Sequence, residues 1–283
     1  MGVVGVVGGG TMGAGIAHAF AAAGTNVVVV EVDAQRAERT RTSIEASLRR
    51  GAARGHVADA DDAIGRLAVA TEHGALVGAA LVIEAVPEDP VLKADVLRKL
   101  EAVVPPGTVL ATNTSSISVD ALAAALEHPG RFLGMHFFNP VPASQLVELV
   151  HGRETTRPVV DEARRLAEHV GKQTIEVSDS PGFASSRLGL AIGLEAIRML
   201  EEGVGSAADI DDAMVLGYRF PMGPLRLTDL VGLDVRLGIA DYLTDALGDR
   251  FTPPRLLRDK VARGELGRKT GKGFFDWDRE DPR

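Results

Sequence analysis

A histidine and a glutamate stand twelve residues apart in the run Arg-Phe-Leu-Gly-Met-His-Phe-Phe-Asn-Pro-Val-Pro-Ala-Ser-Gln-Leu-Val-Glu-Leu-Val at residues 131–150. His136 closes one apolar stretch and Glu148 lies inside the next. A carboxylate buried among apolar neighbours is costly unless paired, so Glu148 needs a donor, and an imidazole N–H is a suitable one. A glutamate that holds one ring nitrogen fixes the tautomer and leaves the other nitrogen as a base working near neutral pH. The same two residues also suit a satisfied core histidine beside an edge-strand glutamate, and their chemistry alone leaves both readings open.

Residues 8–15, Gly-Gly-Gly-Thr-Met-Gly-Ala-Gly, follow the apolar run 3–7 and open a stretch of helix formers. In the pattern G-x-G-x-x-G, Gly8 permits a tight turn off a strand, Gly10 lets the backbone approach a pyrophosphate, and Gly13 lets the helix pack close to the sheet. An anion would sit on the unpaired N–H groups at the positive end of that helix. Such a turn can be merely structural, but here the helix at 12–23 stops at Gly24 and a second apolar run, 27–30, ends on Glu31. Strand, turn, helix, strand and acid in that order predict a dinucleotide site, with Glu31 accepting from a ribose diol and favouring NAD over NADP. Arg36 and Arg39 either offset that preference or form a solvated helix face.

Residues 112–118, Thr-Asn-Thr-Ser-Ser-Ile-Ser, follow another apolar strand and precede a helix. Ligands of open α/β sheets bind at this carboxyl edge. Ordinary helix capping accounts for Ser118. It does not account for the whole polar run, which leaves Asn113 and Ser115 as site candidates.

Those residues must be held by a sizeable fold. With 283 residues, 45% of them hydrophobic, the chain can bury a large core and is long enough for two domains. The net charge of −8 argues against a nucleic-acid partner. No cysteine is present, which excludes disulfides, thiolate metal sites and a cysteine nucleophile, and fits a reducing cytoplasm. The seven histidines show no metal-ligand spacing. No apolar run reads as a signal peptide or approaches a membrane span, so a soluble protein is expected.

Strands are expected at 3–7, 27–30, 67–70, 81–85, 109–112, 132–135, 146–150 and 174–177, with helices at 12–23, 91–103, 118–127 and 158–170 between them. That alternation predicts an α/β fold, a doubly wound, mostly parallel Rossmann-type sheet. Residues 34–65 read as two helices broken around 51–55, a helical-hairpin insertion projecting from the sheet. After Asp179-Ser180-Pro181-Gly182 only helical patterns remain, which sets an NAD-binding domain at 1–180 and an all-helical domain at 181–283.

Six segments in order give a more specific signal. Gly-Gly-Gly-Thr-Met-Gly-Ala-Gly-Ile-Ala, Val-Ile-Glu-Ala-Val-Pro-Glu-Asp (82–89), Asn-Thr-Ser-Ser (113–116), His-Phe-Phe-Asn-Pro-Val-Pro (136–142), Pro-Gly-Phe (181–183) and Gly-Arg-Lys-Thr-Gly-Lys-Gly-Phe-Phe (267–275) run nearly the whole chain. Together they resemble the L-3-hydroxyacyl-CoA dehydrogenases, including the short-chain 3-hydroxybutyryl-CoA enzymes.

The resemblance implies NAD-dependent oxidation of a 3-hydroxyacyl-CoA, with His136 as catalytic base, Glu148 as its orienting partner and Ser115 on the substrate oxygen. It assigns Gly8, Gly10, Thr11, Met12, Gly13 and Glu31 to the dinucleotide, with Glu88, Lys93 and Asn113 as further cofactor contacts. Asn139 would face substrate, and Ser47 and Arg54 fall where the family contacts coenzyme A, with Arg in place of the usual Lys. One departure stands out. The family pattern Pro-Gly-Phe-x-x-Asn-Arg reads Pro-Gly-Phe-Ala-Ser-Ser-Arg here, so Ser186 replaces an active-site asparagine and gives up its second donor. Met222-Gly223-Pro224-Leu225 and 230–234 resemble segments near the family's dimer interface, which implies a homodimer through the helical domain. Lys269 and Lys272 suit either a substrate phosphate or a turn made by Gly271 and Gly273. Two other readings fit the same residues: a dehydrogenase of free sugar acids, as in the gulonate dehydrogenase and lambda-crystallin branch, and a non-catalytic NAD-binding protein.

Overall fold

Short runs that are apolar at every position, such as Val3–Val7 and Val27–Val30, suit strands covered on both faces. The computed structural model describes residues 2–278. Its sheet contains β1 (Val3–Val7), β2 (Val27–Val30), β3 (Leu67–Ala70), β4 (Ala79–Glu84), β5 (Val109–Thr112), β6 (Phe132–Phe137), β7 (Leu146–His151) and β8 (Gln173–Ser178). Their order is β3-β2-β1-β4-β5-β6-β7-β8. Strand β1 lies between β2 and β4, so the winding reverses there and opens a crevice at the carboxyl ends of β1 and β4.

The strands from β3 to β6 are parallel, whereas β7 runs antiparallel to β6 and β8 parallel to β7. The reversal has a steric cause. A parallel return needs a crossover of a dozen or more residues, and only 138–145 connect β6 to β7.

The helices of this unit are α1 (Thr11–Ala22), α2 (Ala34–Ala53), α3 (Ala60–Gly65), α4 (Pro90–Glu101), α5 (Val119–Ala123) and α6 (Arg157–His169). The α2–α3 hairpin does not stand clear of the unit. Thr40, Ile44 and Leu48 recur at four-residue spacing on one face of α2, and the two aliphatic side chains enter the same core as Ile16 and Phe20 of α1. Helix α5 is shorter than the expected 118–127, because beyond Ala123 the backbone tightens into Ala125 N→Leu122 O and Leu126 N→Ala123 O bonds.

The chain divides into Met1–Ser180 and Pro181–Arg283. The second unit holds α7 (Ser185–Glu201), α8 (Ala207–Tyr218), α9 (Pro224–Val231), α10 (Leu233–Leu247) and α11 (Arg255–Ala262), with Leu190, Leu194, Leu233, Leu243 and Leu257 in its core. Two buried carboxylates tie it together. Asp211 of α8 accepts from Leu225 N (2.8 Å) and Arg226 N (2.9 Å), which caps the start of α9. Asp229 of α9 accepts from Phe274 N, Phe275 N and Trp277 Nε1, each at 2.9 Å. Burial pushes both carboxyls up, and these hydrogen bonds oppose the shift.

The Gly-Arg-Lys-Thr-Gly-Lys-Gly-Phe-Phe segment follows from that geometry. Gly267 (φ 90°) and Gly273 lie so near Asp229 that a side chain at either would collide with it. The lysines have partners within the unit: Lys269 pairs with Asp234 at 2.6 Å and Lys272 with Glu265 at 3.1 Å, which suits the turn reading. Gly273→Ala is expected to destabilise this unit by about 1–3 kcal/mol through overpacking against Asp229. Thermal unfolding checks this, and an unchanged Tm would rule out the close approach.

Candidate active site

The glycine turn is shaped by contacts at three positions. Gly8 has φ 94°, where a Cβ would also stand 2.9 Å from the Ala85 carbonyl oxygen. A Cβ on Gly13 would collide with the Gly8 carbonyl oxygen, so this glycine allows α1 to start hard against β1. Gly10 has nothing within 4 Å of a Cβ position and faces open space. Helix α1 begins on Gly10 with no capping side chain, so Thr11 and Met12 present main-chain donors at its positive end.

That turn opens onto a cavity of about 790 Å³ lined by residues 8–12, Glu31, Arg36, Arg39, Thr40 and Lys99 among others. The Glu31 carboxylate is fixed at its rim, accepting from Gly9 N (2.8 Å), Thr40 Oγ1 (3.3 Å) and Val32 N (3.1 Å). A bare glycine backbone, a helix N-terminus and an oriented acid in a cavity of this volume fit a dinucleotide. Arg36 and Arg39 are both exposed, as a solvated helix face requires, and that face also borders this cavity.

At the end of β4 a second carboxylate, Glu84, is fully buried opposite an equally buried Lys93, with Nζ–Oε1 at 2.8 Å. Glu84 also accepts from Thr112 Oγ1 and Val86 N, both at 2.7 Å. The Lys93 ammonium donates onward to the Val86 carbonyl (3.2 Å) and lies 3.3 Å from Glu88. Lys93 therefore stands behind the 85–89 turn, with its charge taken up by protein. Glu88 is half-exposed and accepts from Thr114 Oγ1 (2.5 Å) and Ser115 N (3.0 Å). Lysine, two glutamates and the 112–116 run thus form one continuous network at the carboxyl edge of the sheet.

The next strands carry the acid–base candidates. His136 and Glu148 face each other directly in the antiparallel β6–β7 register, and Nδ1 lies 2.7 Å from Oε2. Glu148 is fully buried and His136 is 4% exposed, so little water competes for the contact. The His136 ring also stands 4.5 Å from that of Phe138. Asn113, which follows β5, accepts from Phe137 N at 2.9 Å through Oδ1 and so locks the segment after His136 to the 112–116 run. His136, Glu148, Asn113, Ser115, Glu88 and Lys93 are thereby joined along adjoining strand ends.

The other candidates sit on other elements. Ser47 of α2 bonds His18 Nδ1 of α1 at 2.9 Å, and burial, then Lys172 and Arg50, hold the His18 imidazole below its ordinary range. Arg54 is exposed at the end of α2, and Asn139 is exposed after β6. Ser186 is the second residue of α7 in the helical unit and is half-buried there. No group of three or more metal-ligating side chains occurs among the described residues.

Sequence reasoning overlooked Glu84 and Thr40. Glu84 had a visible signal, since a carboxylate inside Val-Ile-Glu-Ala-Val needs a cation and Lys93 is nine residues on. Thr40 had none, because its reach to Gly9 O and Glu31 depends on how α2 packs. Lys93→Met strands the Glu84 charge and is expected to destabilise the chain by about 3–5 kcal/mol. Urea unfolding measures this, with the Glu84→Gln, Lys93→Met double variant expected to recover part of the loss.

Comparison with known proteins identifies the family. Residues 3–180 match the 3-hydroxyacyl-CoA dehydrogenase NAD binding domain, and residues 182–277 match the C-terminal domain of the same family. The 3-hydroxybutyryl-CoA dehydrogenase of Mycobacterium tuberculosis is 43% identical over 97% of this chain and 98% of its own length. A probable 3-hydroxybutyryl-CoA dehydrogenase of Deinococcus radiodurans is 41% identical over 96% of this chain and 99% of its own. The crystal structure of the (S)-3-hydroxybutyryl-CoA dehydrogenase of Ralstonia eutropha superposes with a TM-score of 0.92 at 39% identity, covering 97% of this chain and 98% of that one. With a matching NAD-binding domain, a matching C-terminal domain and relatives of this identity along its length, the chain belongs to the 3-hydroxyacyl-CoA dehydrogenase family of oxidoreductases.

Proposed function

We propose that this protein interconverts L-3-hydroxyacyl-CoA and 3-oxoacyl-CoA with NAD, acting on short chains such as 3-hydroxybutyryl-CoA. The observation that carries this reading is the buried His136–Glu148 contact of 2.7 Å. The names of the relatives supply the substrate class.

In the oxidative direction His136 Nε2 takes the proton of the C3 hydroxyl, and Glu148 stabilises the imidazolium through Nδ1. NAD, when bound, would supply the hydride acceptor for C3. In reduction the protonated His136 returns its proton to the same oxygen. Ser115 donates to that oxygen, with its loop held by Glu88, and Asn139 faces substrate; Ser186 is carried as a catalytic residue by its position in the family pattern alone. Gly8, Gly10, Thr11, Met12 and Gly13 hold the pyrophosphate, and Glu31 holds the adenosine ribose. Asn113 and Glu88 would provide further cofactor contacts, with Lys93 acting through Glu88.

Ser47 and Arg54 on the α2 hairpin serve the coenzyme A moiety, where a guanidinium suits a phosphate. We place the enzyme in the cytoplasm as a homodimer formed through its helical unit. Support for the dimer comes from large apolar side chains exposed on that unit, among them Leu188 (64%), Leu216 (77%) and Tyr218 (74%). No helix among the described residues is long and apolar enough to cross a membrane.

NADH formation from 3-hydroxybutyryl-CoA tests the activity. Absence of turnover with it and with longer acyl-CoA substrates would favour a non-catalytic NAD-binding role, and turnover of free hydroxy acids alone would favour the sugar-acid branch. His136→Ala is expected to lower kcat by at least about 10²–10⁴-fold with NAD affinity unchanged. Glu148→Gln should likewise lower kcat steeply in a folded protein; activity retained across the neutral range would make Glu148 purely structural.

A further inference from the structure

The proton-transfer chemistry leaves a buried cation unused. Lys172 lies between α6 and β8, is 7% exposed, and has no ion-pair partner among the described residues. Its ammonium donates to the main-chain carbonyls of Val141 (2.6 Å) and Ser144 (2.5 Å). Both carbonyls belong to the 138–145 connection between the strand of His136 and the strand of Glu148. A lysine gives up a large hydration free energy to be buried, so two short bonds to carbonyl dipoles must hold it there. Burial also pushes its ammonium below the ordinary lysine range.

The segment that Lys172 holds is bracketed on two further sides. Gln173 N donates to Gln145 O at 2.7 Å, which begins the β7–β8 pairing immediately after Lys172. Val141 is 2% exposed and sits on Gly15 of α1, where a Cβ would stand 2.9 Å from the valine Cβ. Gly15 is two residues past Gly13 of the glycine turn. Drawn inward at Val141 and Ser144, the connection is pressed against the helix whose start would carry the dinucleotide.

We infer that Lys172 is a positioning residue for proton and hydride transfer: by clamping the 138–145 connection it fixes His136 and Glu148 relative to the glycine turn. The clamp acts through main-chain geometry, since the Lys172 ammonium donates to the carbonyls of Val141 and Ser144. Misplacement by about 1 Å far from the chemistry costs on the order of 10²-fold in rate.

The inference rests on His136 and Glu148 being the acid–base pair, which the His136→Ala assay judges separately. Lys172→Met keeps the stem and removes the donors. It is expected to speed amide hydrogen exchange in 138–145, to lower kcat about 10–100-fold with the KM for NAD within about two-fold, and to raise the primary deuterium isotope effect at C3. Lys172→Arg, which keeps charge and donors, should recover much of the kcat. Wild-type exchange in 138–145 would overturn the clamp whatever the assay shows. A rate loss that tracks only the folded fraction, with an unchanged isotope effect, would overturn the positioning role.

Discussion

A carboxylate sealed inside a sheet needs a partner from the protein, since water is no longer available to it. Glu84 and Glu148 are both fully buried, at the end of β4 and within β7, and the organisation of the first unit follows from satisfying them. Glu84 takes Lys93, Thr112 and Val86 as donors, which knits β4, β5 and α4 together at the carboxyl edge. Glu148 takes the His136 ring, and antiparallel pairing of β6 with β7 sets those two side chains opposite each other. Each burial produces a rigid polar assembly where a ligand of an open α/β sheet is expected to lie.

These assemblies are linked through main-chain groups. Asn113 joins the β5 end to Phe137, Glu88 gathers Thr114 and Ser115, and the Val141 and Ser144 carbonyls meet Lys172. Main-chain tethers fix the ring of His136 at lower entropic cost than mobile side chains would. The cavity at the glycine turn is built in the same way. Its floor is glycine backbone and a helix start, and the carboxylate at its rim is held by three donors.

Much of the first unit is legible in its apolar runs. Valine-rich strands, the glycine turn, Gly24 and the acid at 31 can be read in order because parallel strands and tight turns leave strong local signatures. Less legible were features that depend on packing between distant segments. Lys93 resembles a cofactor contact but directs its charge to Glu84, Val86 and Glu88. Arg36 and Arg39 read first as a solvated face and are exposed, but only the lie of α2 against the glycine turn sets that face beside the cavity. The hairpin reads as a projection until Ile44 and Leu48 are found in the core with α1.

The sequence by itself determined which groups this protein owns: a turn only glycines can make, an acid after β2, a histidine and a glutamate twelve residues apart, and a helical second unit. It determined them because φ preference, hydrophobic period and side-chain chemistry are properties of short segments. Tertiary structure alone decided which of these groups meet. The short β6–β7 connection forces an antiparallel return, and that return sets Glu148 on His136. Folding of α6 and β8 then delivers Lys172 to the connection between the two strands. That contact with Val141 spans 31 positions of sequence, and no local pattern records it because it exists only once the intervening strand and helix have packed.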